Sequence, residues 1–327
     1  MSLPLWVHAL LGASTAVAAA SAVFGWGRRR ARALSARGAV RTAANASPPH
    51  VPAPTTIAFL GDVQKGVRVV AGPVVEALAR ERAAFLVSSG DLASHGEAPY
   101  HGIVAHAFER AGLSIPLLVA AGNHDVQPSG VRDSAPGRRL FETVYGPRTW
   151  VASAGPLLVV GCDNGGAWLD DGQLDQIERE LDARPQSPWL LVIHRPPRNL
   201  LLPHAPPDGG SDRLLALFAR RRPEAVVSGH LERDAEAVVD GVRYVVNADG
   251  GDTSGDSLRG PKTFRLLLAD VGADGRVSLR RIELPRRRDN SVALDQFAVR
   301  LWADSRHGVG RALGILGDLL WRPLRGG

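Results

Sequence analysis

The sequence predicts an α/β fold built on two packed sheets, and three observations carry that prediction. From residue 56 onward, short apolar runs alternate with helix-length amphipathic segments, the pattern of βα units around a mainly parallel sheet. From residue 235 the helices stop and strand follows strand through Gly turns, which calls for a second sheet beside the first. Several apolar runs also end in Asp, Asn or His. Such residues are poor core material, and ligands of open α/β sheets bind outside the carboxyl ends of the strands.

Taken in order, the first strand is expected at 57–60, followed by a helix at 70–82. A strand at 84–88 leads to a helix at 99–111, and a third strand covers 116–121. Two short β-like runs at 149–153 and 157–161 precede a helix at 171–183 and a strand at 189–193. The helix 212–221 leads to the strand 225–228. The closing runs are 235–239, 242–247, 263–269 and 276–282. No internal repeat is present.

The two ends differ from this middle. Residues 3–26 carry no formal charge, long enough to span a bilayer at roughly 20 residues per crossing. Arg28, Arg29 and Arg30 follow at once, so the positive-inside rule gives a single-pass anchor with the main domain on the cytoplasmic side. The rival reading is a signal peptide cleaved near the small residues 18–22, with export of the domain. The Pro-rich stretch 43–55 reads as an extended linker. In the final segment, Val292, Phe297, Leu301 and Trp302, then Val309, Leu313, Leu319 and Trp321, recur at helical spacing among Asp and Arg. This is an amphipathic helix, either lying in a membrane interface or docked on the domain. The expected division is therefore 1–27 anchor or signal, 28–54 basic linker, 55–288 globular domain and 289–327 tail.

Apolar residues make up 45% and charged residues 22%, as in an ordinary globular protein. The net charge of +6 sits on the ends. Residues 1–54 hold six Arg and no acid, and residues 276–327 hold eleven Arg against five acids, leaving the middle net acidic. That placement favours membrane lipid over nucleic acid, and no protein partner is inferable. Cys162 is the only cysteine, which excludes an intrachain disulfide and a Cys-based zinc cluster. It is expected as a small buried residue.

The chemistry gathers at five strand ends: Gly61-Asp62-Val63-Gln64, Gly90-Asp91, Gly122-Asn123-His124-Asp125, His194-Arg195-Pro196 and Gly229-His230-Leu231-Glu232. Any one of them alone is more often a turn. All five in this order, each after an apolar run, resemble the calcineurin-like metallophosphoesterase family over roughly residues 55–285. That family's run is D-x-H, G-D, G-N-H-D/E, a strand-terminal His and G-H-x-H. The resemblance implies a four-layer α-β-β-α sandwich, here preceded by the hydrophobic N-terminal helix and followed by the amphipathic C-terminal one. It also implies hydrolysis of a phosphomonoester or phosphodiester with two bridged divalent metals.

Carried over position by position, the resemblance places Asp62, Gln64, Asp91 and Glu232 on a first metal. Asp91 bridges, and Asn123, His194 and His230 complete the second. His124 assists the leaving group or the phosphoryl charge. Arg195 and Lys65, neighbours of ligands, are candidates to bind non-bridging phosphate oxygens, as Arg and Lys commonly do. Three departures stand out. Gln64 and Glu232 occupy positions where the family usually has His, and Ser94 stands where phosphoprotein phosphatases carry an Asp. Gln at the first of these occurs in some branches of the family. The first site becomes all oxygen and favours Mg²⁺ or Mn²⁺, while the second keeps two imidazoles and suits Mn²⁺, Fe²⁺ or Zn²⁺. The alternative is a degenerate member that binds a phosphorylated ligand or partner without turnover. His95, His101, His106 and His204 read first as surface or structural histidines.

Overall fold

The computed structural model describes residues 40–128, 134–166, 169–197, 211–247 and 263–305, together with Ala18, Ser21, Ala22, Gly25, Trp26 and Arg29. Twelve strands and seven helices are defined among them. The strands are β1 (His50–Val51), β2 (Thr55–Leu60), β3 (Ala83–Ser88), β4 (Leu117–Val119), β5 (Thr149–Ala154), β6 (Leu157–Cys162), β7 (Trp189–Ile193), β8 (Ala225–Ser228), β9 (Ala235–Val239), β10 (Val242–Val246), β11 (Thr263–Val271) and β12 (Val277–Pro285). The helices are α1 (Val67–Arg80), α2 (Ala98–Ala111), α3 (Asn123–Val126), α4 (Ala135–Tyr145), α5 (Asp171–Asp182), α6 (Ser211–Arg220) and α7 (Asn290–Ser305).

One sheet has the order β12-β11-β2-β3-β4 and the other β1-β5-β6-β7-β8-β10-β9. Each has a parallel centre: β2-β3-β4 in the first, and β6-β7-β8-β10 in the second. Antiparallel strands flank both. Parallel strands are covered on both faces and so read as continuous apolar runs. In β2, Ile57 and Phe59 point into a layer shared with Trp150, Leu190, Val192 and Val227 of the other sheet. Ala58 and Leu60, on the opposite face, pack with Val70, Val74 and Phe108 of α1 and α2. The second sheet turns Val160, Leu191 and Val226 to Leu174, Ile177 and Phe218 of α5 and α6. Helices, sheet, sheet and helices are therefore stacked in four layers. Phe59 and Phe85 are fully buried between the sheets, and truncating such a ring to Ala costs about 3–5 kcal/mol. Two side chains pin the sheets together. Trp150 Nε1 donates to the Val119 carbonyl, and Asn247 Nδ2 donates to that of Phe59, each at 2.9 Å.

Two regions differ from the sequence reading, and in a third one of two open readings is seen. The Pro-rich stretch expected as linker packs on the domain. Val40 and Thr42 are buried, the Leu117 amide donates to the Arg41 carbonyl at 2.8 Å, and His50–Val51 pairs in parallel with β5. Apart from Val40 and Thr42, whose side chains are buried, backbone groups make these contacts, so they leave no hydrophobic period to read. Helix α4 was not expected, because Ala135-Pro136-Gly137 looks like a turn. It is in fact a helix start, where Ser134 Oγ accepts from the Gly137 amide at 3.0 Å with Pro in the first turn. The tail helix α7 docks on the domain, burying Val292 and Val299 against the α1–α2 layer.

No helix among the described residues is long and apolar enough to cross a membrane. Most of the expected hydrophobic segment 3–26, the tail beyond 305, residues 198–210 with His204, and residues 250–255 lie outside the described residues. Cys162 is fully buried, and burial pushes its thiol up to about 12.

Candidate metal centre

Every parallel strand that ends in a polar motif ends at the same edge. After β2 the chain reaches Asp62 and Gln64, after β3 Asp91, and after β4 Asn123 and His124. After β7 it reaches His194 and Arg195, and after β8 His230 and Glu232. The turns that present them are strained. Among the described residues seven non-Gly positions have positive φ, and five of these are Asp62, Gln64, Asp91, His230 and Glu232. Left-handed backbone is rare outside Gly and clusters where a functional geometry demands it.

Two glycines make room for these groups. Gly122 has no Cβ because one would run into the Asp91 carboxylate. Gly90, at φ 100°, lies where a Cβ would strike the His194 ring. The two loops are tied by Asp125, whose carboxylate accepts from the Ala93 amide at 2.8 Å and the Gly122 amide at 2.9 Å. Burial, with Asp91 nearby, pushes Asp125 up to about 7. An acid at the third position of a helix reaching back to the residue before its first turn is a readable signal, and it was missed here.

Ligand-type atoms form two groups. Asp91, His194 and His230 offer atoms within 4.8 Å of one another, and so do Asp62, Asp91 and Glu232. Asp91 belongs to both. One of its oxygens accepts from the His124 amide at 2.8 Å, and the other lies 3.3 Å from His194 Nε2. Asn123 Oδ1 is 3.1 Å from the same Nε2. Gln64 Nε2 donates to Glu232 Oε1 at 2.9 Å. Asp62 accepts the His230 amide with both oxygens.

The electrostatics of this arrangement ask for a cation. His194 Nδ1 faces the Ser89 carbonyl at 3.0 Å, and a carbonyl can only accept. In the neutral ring the proton therefore sits on Nδ1, and the Nε2 lone pair points at two acceptor oxygens. A positive charge at that point relieves the conflict. With only a proton to supply it, His194 is raised to about 9: burial alone would lower it, and the charge and hydrogen bond of Asp91, the charge of Asp62 and the Ser89 carbonyl together outweigh that burial. His230 moves the other way, to about 3, through burial and then the charges of His194 and Arg195. Asp62 is raised well above the usual carboxylate range by burial, with Asp91 and Glu232 adding to the effect. Asp91 is lowered, since His194 and His124 outweigh its burial.

His124 is half-exposed, with its Nε2 4.0 Å from Asp91. Its Nδ1 meets the carbonyl of Ser94 at 2.8 Å, so a backbone atom holds the ring where a relative could use an Asp. Arg195 is drawn in as well. One terminal nitrogen lies 2.8 Å from His230 Nε2 and the other 3.4 Å from Asn123 Oδ1, while its buried Nε has no partner. Lys65 is exposed, and the contact it makes here is through its backbone carbonyl, which accepts from Gln296 of α7 at 3.0 Å. Asn164 was not anticipated. Its side chain bridges both backbone groups of Arg195, at 2.8 and 2.9 Å. His101 and His106, both buried, lie in α2 and belong to its packing.

Comparison with known proteins gives a consistent picture. The calcineurin-like phosphoesterase family profile matches residues 55–232. A dimetal phosphatase from Danio rerio superposes with a TM-score of 0.52 at 13% identity, over 72% of this chain and 99% of that one. A purple acid phosphatase from yellow lupin (Lupinus luteus) seeds superposes with a TM-score of 0.50 at 14% identity, over 76% of this chain and 57% of that one. At these identities the likeness is one of fold. No match is found among curated protein sequences.

Proposed function

Because the chain belongs to the calcineurin-like phosphoesterase family, we propose that it hydrolyses a phosphomonoester or phosphodiester with two divalent cations held at this edge. The observation that carries the proposal is the donor set. Asp62, Asp91 and Glu232 bring three carboxylates together, and His194 turns a lone pair on two oxygens. Glu232 is exposed at the rim, but Asp62, Asp91 and His194 are buried, and buried charges are costly unless a cation sits among them.

Asp62, Gln64, Asp91 and Glu232 would hold one cation, and Asn123, His194, His230 and Asp91 the other. Glu232 fixes the polarity of the Gln64 amide. A carboxylate accepts only, so Nε2 must face it, and Oε1 is left for a hard cation. Oxygen-only ligation suits Mn²⁺ or Mg²⁺, and the cluster with two imidazoles suits Mn²⁺, Fe²⁺ or Zn²⁺. When bound, such cations polarise phosphoryl oxygens and lower the pKa of a water ligand.

The remaining work falls to the chain. His124, its Nδ1 turned to Ser94, presents Nε2 as the atom that can hold a proton for the leaving oxygen. Arg195 offers donors for phosphate oxygens, with Asn164 setting its backbone. Lys65 is a weaker candidate for that role, since no described contact brings its ammonium into the cluster.

Turnover of a generic phosphomonoester or phosphodiester reporter with Mn²⁺, abolished in Asp91→Ala and in Asn123→Ala, is the expected result. A second reading, ligand binding without turnover, draws on the way Gln64 and Glu232 satisfy each other. Phosphate binding with no hydrolysis under any divalent metal would select it.

A further inference from the structure

Gln64 sits on a turn with little of its own to hold it. Its backbone is left-handed, at φ 42°, and such a geometry persists only where the surroundings over-determine it. A single 3₁₀ turn, Gln64–Gly66, runs straight into α1. Gly66, at the start of α1, brings no side chain to cap it. Within α1, Pro73 has no N–H to give, so the carbonyl of Val69, one helical turn back, is denied its usual helix donor.

A segment from the other end of the domain supplies what is missing. The Arg287 amide donates to the Val69 carbonyl and the Asp289 amide to that of Arg68, each at 2.9 Å. Gln296 Nε2 donates to the Lys65 carbonyl at 3.0 Å. The segment is itself fixed. Asp289 Oδ1 caps α7, accepting from the Ser291 amide at 2.9 Å and from its hydroxyl at 2.6 Å. Val292 and Val299 are buried in the cluster that holds Val63, Val67 and Val70, and Asp295 contacts His106 of α2. All of it lies beyond residues 55–232, the part matched by the family profile.

We infer that residues 287–299 form a clamp on the Gln64 turn, with Gln296 a positioning residue for that ligand. The inference rests on the assignment of Gln64 to the oxygen-only cation. The Gln64 amide donates to the Asp91 carbonyl at 3.0 Å, and its side chain donates to Glu232. The clamp, the Asp91 loop and Glu232 are three separate parts of the chain that converge on one residue. The Gln296 contact is open to solvent, so its loss should loosen the turn without unfolding the domain.

The test uses the full chain and reads the turn with and without metal. Gln296→Glu turns the donor into a carboxylate facing a carbonyl, and Gln296→Lys keeps a donor of similar reach. Without metal, amide exchange in Gln296→Glu should quicken by about 3–10-fold at Gln64 and Gly66, the contribution of one modest hydrogen bond. It should not quicken at His230, whose amide is held by Asp62. Mn²⁺ affinity should fall by a similar factor for one of two equivalents, and Gln296→Lys should restore both readouts. Charge alone predicts the reverse, since an added carboxylate favours a nearby cation and an added ammonium opposes it. Unchanged exchange at Gln64 in Gln296→Glu would overturn the clamp. So would equal quickening at His230, which marks general loosening, or faster exchange at Gln64 with both cations held as tightly as before. If the unaltered chain takes up no Mn²⁺ while the exchange response is seen, the clamp stands and the two-cation reading falls.

Discussion

Gln64 and Glu232 are 168 residues apart in sequence and joined by one hydrogen bond, amide nitrogen to carboxylate oxygen, at 2.9 Å. They stand where the family usually has two histidines, and they have become a matched pair. Gln64→Asn suits the left-handed backbone but shortens the side chain and withdraws the amide from Glu232. Mn²⁺ affinity at the oxygen-only cluster should fall by about 10–100-fold, as loss of a supporting contact typically does. Calorimetric titration checks this. The double variant Gln64→His, Glu232→His should shift preference toward Zn²⁺, and an unchanged metal preference would count against the pairing as a metal determinant.

His124 gives a separable prediction. Its backbone amide supports Asp91, while its ring, held at Nδ1 by the Ser94 carbonyl, keeps Nε2 for the substrate. His124→Gln keeps the first contact and removes the second. The expected result is a kcat lowered by about 10²–10⁴-fold, the usual worth of a positioned acid or base, with metal stoichiometry unchanged. A parallel loss of metal would assign the ring to ligation instead.

Two glycines should respond differently. Gly122→Ala drives a Cβ into the Asp91 carboxylate, costing about 1–3 kcal/mol as overpacking does and weakening metal binding. Gly72, inside α1, has no atom beyond its chain neighbours within 4 Å of an added Cβ, but Pro73 follows it, and a Cβ on the residue before a proline disfavours helical backbone. The usual helix-interior gain of roughly 0.5–1 kcal/mol is therefore offset, and Gly72→Ala should change stability little and leave metal binding intact. Denaturant unfolding of the two variants separates a site constraint from a general intolerance of substitution.

Acid stability should depend on His101, buried against Tyr145 near the backbone of Asp125. Burial lowers its pKa to about 4. The unfolded chain binds this proton near pH 6.5 and the folded chain only near 4, so stability is full above 6.5 and falls as pH drops through that window. The loss from this group amounts to roughly 3 kcal/mol at its limit. His101→Phe should flatten that part of the curve. An unchanged slope in the variant would show that other groups set it.

The strand-end motifs were legible because each is contiguous, a run of two to four residues carrying metal-type side chains after an apolar run. What supports them was not. Asn164 sits in a stretch given no element and Asn247 ends the run expected as the strand 242–247, and their roles appear only once β6 lies beside β7 and β10 faces β2 across the two sheets. The Ser94 carbonyl that holds His124 is a backbone atom, to which no sequence letter points. The packing of residues 40–54 escaped for the same reason, since backbone bonds to β4 and β5 carry it. Lys65 illustrates the converse. Adjacency to a ligand in sequence says nothing about direction, and Lys65 is exposed, with its described contact made by its backbone carbonyl.

The central claim is two cations held by two ligand groups sharing Asp91. Metal stoichiometry of the purified chain, titrated with Mn²⁺ and read by calorimetry alongside elemental analysis, tests it most directly. Two equivalents per chain, falling in Asp91→Ala, are expected from the two clusters. A single equivalent that survives Gln64→Asn and Glu232→Ala but is lost in His194→Ala would contradict it, confining the chemistry to the group with two imidazoles.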